Sequence, residues 1–146
     1  MPDANASVRV VLDTNVVVSG LLWANTPRQV LDAVRDGRLT AFTSVALLDE
    51  LADVLSRDHL AALIARLNTT VAELVYGYSK LARLVTVTVV PRAVPNDPDD
   101  DHVLACALAA RADLVVSGDK KHLLPMKSYQ EIPIVSPREA IERVSA

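Results

Sequence analysis

A chain of 146 residues, 51% hydrophobic and 23% charged, is sized for one domain (1–146, with residues 1–6 as a loose polar lead) that can bury a core. Its formal net charge of −3 and pI near 5.5 argue against passive binding of nucleic acid, unless acids gathered around a divalent ion reverse the local potential. A lone cysteine, Cys106, excludes an internal disulfide; with no basic-then-apolar leader and no apolar run near the ~20 residues that span a bilayer, a soluble cytoplasmic protein without membrane contact is expected.

Aromatic residues are only 3%, so Val, Leu, Ile and Ala must form the core, a composition suited to helices on a parallel sheet. Val8–Leu12 is a β-branched run that predicts a buried strand, ending at Asp13-Thr14-Asn15. Helical spacing follows from Pro27 to Arg35 and stops at Gly37. Leu39–Thr43 reads as a second strand, and Ser44 as the N-cap of a helix to about Ser56. Further helices are expected over 59–67 and 70–85, the latter with Val71, Leu74, Val75, Tyr78, Leu81, Ala82 and Val85 on one face. A third strand is expected at Thr86–Val90, and the Pro- and Asp-rich stretch 91–100 reads as a loop. Asp101–Ala112 is Ala-rich and helical, Leu114–Ser117 and Ile132–Val135 are strands, and Ser136-Pro137 opens a terminal helix to about Val144. This alternation predicts an α/β/α sandwich around a mainly parallel sheet of about five strands.

In such sheets ligands bind beyond the carboxyl ends of the strands. Asp13 and Asp119 fall at two such ends. On the helix after Ser44, Glu50 lies about 100° from the centre of the apolar stripe, whereas Asp49 and Asp53 lie about 160° away and face water. Asp101 leads a buried face that continues through Leu104, Ala105 and Leu108, leaving Asp99 or Asp100 to cap the helix. Four converging carboxylates repel one another and are tolerable around a cation. With no clustered His or Cys in the sequence, oxygen ligands favour Mg²⁺ or Mn²⁺, ions suited to phosphodiester hydrolysis.

The runs VVLDTNVVVSGLL, ALLDELADVL, DPDDDHVLACALAARADLVVSGDKKHLL and IPIVSPREA occur in order between about Val8 and Val144. Together they resemble PIN-domain proteins, and most closely VapC-like toxins of type II toxin–antitoxin pairs. The resemblance implies an endoribonuclease whose metal ligands and catalytic acids are Asp13, Glu50, Asp101 and Asp119. It assigns supporting positions to Asn15 and Ser117, and leaves Asp97 as an outer acid. It also implies an RNA substrate, a Mg²⁺ or Mn²⁺ cofactor, a homodimer and a cognate antitoxin partner.

Other residues carry less. His102 points away from the buried face of its helix, and His59 and His122 look isolated. Lys120 and Lys121 could attract a phosphate backbone. Cys106 reads as packing, and so does Trp23. A phosphatase of the haloacid-dehalogenase kind would need a second Asp two residues after Asp13, where the chain has Asn15. The alternatives are a PIN-like module that binds RNA or a partner without cutting, and an RNA-processing nuclease without a toxin role.

Overall fold

The computed structural model describes residues 7–88 and 98–144. Its elements in chain order are β1 (Val8–Leu12), α1 (Thr14–Leu22), α2 (Thr26–Arg35), β2 (Leu39–Thr43), α3 (Val45–Leu55), α4 (Asp58–Arg66), α5 (Val71–Leu81), β3 (Arg83–Leu84), α6 (Pro98–Ala110), β4 (Leu114–Val116), α7 (Leu123–Met126), β5 (Ser128–Tyr129), β6 (Ile132–Val135) and α8 (Pro137–Val144). The strands form one sheet in the order β3-β2-β1-β4-β6-β5, parallel throughout except for the β5–β6 pair.

Both faces of the central strands are covered, so these strands are apolar at consecutive positions rather than alternately. Val10, Leu12, Leu114 and Val116 point into a core shared with α1, α2, α3, α5 and α8. Val11, Val115 and Ile134 point the other way, against α6 and Leu123. These are the three layers that the alternation of elements predicts. The extra, sixth strand is the two-residue β5, paired antiparallel with β6.

The chain first runs outward from β1 to β2 and β3, then returns to lay β4 on the opposite side of β1. The crevice where strand order reverses lies at the carboxyl ends of β1 and β4. Its rim is set by local chemistry. Thr14–Leu22, to which the sequence assigned no element, is a helix that starts directly at the end of β1. The Arg28 guanidinium caps its far end by donating to the carbonyls of Gly20 and Leu21. Ser44 caps α3 by accepting the Leu47 amide at 3.3 Å, as expected.

Four expectations are corrected. The third strand is Arg83–Leu84, with no strand over 85–88, while residues 89 and 90 lie outside the described residues. The helical face read as far as Val85 ends earlier, at Leu81, because Ala82 turns extended (φ −94°, ψ 158°) and Val85 donates its amide to Thr43 at the sheet edge. An apolar run of this length satisfies helix and strand periods at once, so the boundary was ambiguous. The acidic loop expected up to Asp100 is already helix from Pro98, with proline at the favoured first position. Asp97 lies outside the described residues. Trp23 is not core: it is 43% exposed at the end of α1.

Candidate metal centre

Asp13 sits at the joint between β1 and α1. Its amide donates to the Val116 carbonyl at 2.9 Å, extending the β1–β4 pairing one residue beyond the strand. Its own carbonyl accepts the amides of Val16 and Val17, which begins α1. The backbone is thus tied on both sides, and the carboxyl group is held at the crevice with only 5% of the residue exposed. Burial pushes the Asp13 carboxyl above its usual range, and the charge of Asp119 adds to this. The Ser117 hydroxyl and the amides at the start of α1 oppose the rise.

Ser117, fully buried at the end of β4, links two acids. Its Oγ donates to Asp13 Oδ2 at 2.9 Å and accepts the Asp119 amide at 2.9 Å. The Asp119 carboxylate in turn organises the turn that follows. Oδ1 accepts the amides of Lys121 (2.9 Å) and His122 (3.2 Å), and Oδ2 lies 3.4 Å from the Leu123 amide. Burial alone would raise the pKa of Asp119, but these three amides and a hydrogen bond with Asp100 hold it below the ordinary value.

A cleft of about 560 Å³ opens over these residues. Asp13, Asn15, Glu50 and Asp119 all line it, so the strand-end and helix-angle arguments converge on one place. The angular choice on α3 is reproduced: Glu50 is half-buried on the cleft wall, while Asp49 and Asp53 are exposed. Ser117 lies beneath, holding Asp13. From α6 it is Asp100, not Asp101, that lines the cleft. Both are buried, at 6% and 3% exposure. The helical-angle argument needs a solvent face for contrast, and α6 has almost none: from Asp100 to Ala110 only Ala109 is exposed.

His122 is the residue that sequence reasoning missed. Its Nδ1 lies 3.6 Å from Asp100 Oδ2 and 3.5 Å from Asp119 Oδ2. Ligand atoms of Asp100, Asp119 and His122 fall within 4.8 Å of one another, a spacing that one cation can bridge. The available signal was the three-residue step from Asp119 to His122, which one tight turn can close. Arg57 and Lys121 supply positive charge on the cleft rim. His102 is elsewhere, in a groove beside residues 84–87. Cys106 is fully buried and its thiol is pushed up to about 12 by that burial, so it stays protonated and acts as packing.

These donors fit a divalent ion. Two carboxyl groups in hydrogen-bonding contact, Asp100 and Asp119, cannot both ionise cheaply without a proton or a cation between them. Asp13 lies close enough for its pKa to feel the Asp119 charge. Oxygen donors at the strand ends, open to a cleft, form a candidate acidic metal site.

The fold and this acidic crevice define a nuclease-type α/β domain. Residues 9–121 match the PIN domain family, and the chain belongs to it. No relative was matched among curated proteins. PIN domains are generally nucleases, act on RNA and typically use divalent metals, in keeping with the acids gathered at the cleft. Among the described residues no helix is long and apolar enough to cross a membrane.

Proposed function

We propose that the protein is an endoribonuclease dependent on Mg²⁺ or Mn²⁺. The observation that carries this reading is the convergence of Asp13, Glu50, Asp100 and Asp119 on one open cleft at the point where strand order reverses. Asp13, Asp119 and an acid from the start of α6 hold the ion; the sequence resemblance names Asp101, and the cleft lining favours Asp100. A bound divalent ion supplies charge neutralisation at the phosphate and a more acidic water.

The chain's own groups do the rest. Ser117 fixes the orientation of Asp13, and the amides of residues 121–123 fix Asp119, so little reorganisation is needed when substrate arrives. Glu50, on the wall formed by α3, orients the attacking water and takes its proton. Arg57 and Lys121 bind flanking phosphates, which answers the objection raised by the net charge of −3. In-line attack of water on phosphorus breaks the P–O3′ bond and leaves a 5′-phosphate and a 3′-hydroxyl.

The test is incubation of the purified protein with a panel of end-labelled RNAs. Cleavage is expected with added Mn²⁺ or Mg²⁺, and is lost in EDTA and in Asp13→Asn. Cleavage that persists in either condition contradicts the mechanism, and no cleavage of any RNA favours a binding module.

The VapC-like resemblance extends this reading to a cytoplasmic toxin, a homodimer restrained by an antitoxin. Exposed Tyr76 on α5 and Val45 on α3 give apolar surface for such contacts. Growth arrest on expression, relieved by co-expression of a neighbouring gene, supports the toxin role. Unaffected growth assigns the nuclease to RNA processing. Light scattering reports the dimer.

A further inference from the structure

The preference for oxygen-loving ions rests on an absence of clustered histidine in the sequence, and the fold removes that absence. It brings His122 against Asp100 and Asp119. The Nδ1–oxygen separations of 3.6 and 3.5 Å exceed the ~2.7–3.2 Å of an ordinary N–H···O hydrogen bond. They approximate the separation of two donors that each stand about 2.1 Å from a shared ion at a near-tetrahedral angle.

The imidazole is carried there by a defined turn rather than by a loose side chain. The His122 amide donates to Asp119 Oδ1, and the Leu124 amide donates to the Asp119 carbonyl at 2.9 Å. The acid therefore holds the backbone of the residue whose ring faces it. With about a third of its side chain exposed, His122 also stands at the cleft surface, where an ion entering from solvent meets it.

We infer that His122 Nδ1 is a direct ligand of the cation, together with Asp100 and Asp119, so that the centre is a mixed nitrogen–oxygen site. This rests on the divalent-ion reading above and sharpens its choice of metal. Imidazole nitrogen binds first-row transition ions better than Mg²⁺, which keeps oxygen ligands and several waters. The site accordingly favours first-row transition ions over Mg²⁺, with Mn²⁺, the weakest binder of that series, serving as the EPR-active probe.

The experiment is pulsed EPR on the full chain loaded with one equivalent of Mn²⁺. Directly bound imidazole gives ¹⁴N modulation, which is expected in the parent and absent in His122→Gln and His122→Ala. By calorimetry the same variants should lose about tenfold or more in Mn²⁺ affinity while Mg²⁺ affinity changes less than about twofold, in the range of effects seen when a ligand shell is altered. Missing ¹⁴N modulation in the parent, modulation that survives both substitutions, or equal losses for both ions overturns the inference. ¹⁴N modulation in a protein that cuts no RNA leaves the nitrogen ligand standing and removes the ribonuclease reading. Metal-dependent cleavage without ¹⁴N modulation does the reverse.

Discussion

The Ser117 hydroxyl donates a 2.9 Å hydrogen bond to Asp13 Oδ2, tying the ends of two adjacent parallel strands across 104 residues of sequence. The same oxygen accepts the Asp119 amide, so one buried side chain sets the relative position of two acids.

Removing that link should therefore act on both acids. Ser117→Ala leaves a buried carboxylate short of a donor, at a cost of about 1–3 kcal/mol in stability. It should also lower metal affinity about 10–100-fold, as loss of a supporting group around a metal site does. Denaturant unfolding and metal calorimetry measure the two effects. A variant that loses stability but binds the ion as the parent does would reduce Ser117 to a packing role.

The two acids differ in how they respond to pH. The Asp13 pKa is raised in the folded state, so its contribution favours the fold at low pH and is lost as pH rises from the ordinary value of 3.8 through the folded one. The Asp119 pKa is lowered, so its contribution is present above the ordinary value of 3.8 and is lost as pH falls through the folded one. Without metal at about pH 7, Asp13→Asn should be at least as stable as the parent, because it removes a buried charge. With Mn²⁺ the order reverses, since only the parent gains a full set of ligands. Thermal unfolding with and without the ion reads this, and a metal-free variant less stable than the parent would contradict it.

Asp100 and Asp101 make a discriminating pair. Asp100→Asn should lower metal affinity by about tenfold or more, while Asp101→Asn should change it far less and act mainly on stability, since only Asp100 lines the cleft. Calorimetric titration of both variants with Mn²⁺ decides. Greater loss in the Asp101 variant restores the assignment that the sequence resemblance implies.

The cleft rim also depends on a close helix contact. A Cβ on Gly20 would stand 2.8 Å from Leu31 Cδ1 and 2.9 Å from the Pro27 carbonyl, so α1 and α2 can approach this closely only with glycine. Gly20→Ala should cost about 1–3 kcal/mol by overpacking. Because Pro27 lines the cleft, it should reduce activity as well. A lower denaturant midpoint at unchanged slope is the expected signature, and an unshifted midpoint would show that the helices part freely.

Most of the strands and several helix starts followed from local signals that were strong. Val8–Leu12 and Leu39–Thr43 are β-branched or apolar runs with clear ends, and Ser44 and Pro137 mark helix starts that the structure reproduces. Asp13 and Asp119 could be read because strand ends have a fixed meaning in a parallel sheet. Glu50 could be read because α3 has a wet side and a dry side. The same reasoning chose Asp101 where the cleft is lined by Asp100, because α6 is buried almost all round, leaving no angle to choose by. For His122 the sequence carried only the three-residue step from Asp119. Its approach to Asp100 joins residues from separate elements, and only the turn made by Asp119 creates it.

The most direct measurement of the central claim is the chemistry of the cut ends. After digestion of a labelled single-stranded RNA with Mn²⁺, water attack directed by the acidic cleft predicts 5′-phosphate and 3′-hydroxyl termini, with no product when Asp13→Asn replaces the parent. Termini carrying a 2′,3′-cyclic phosphate, or equal cleavage by the Asp13 variant, would contradict it.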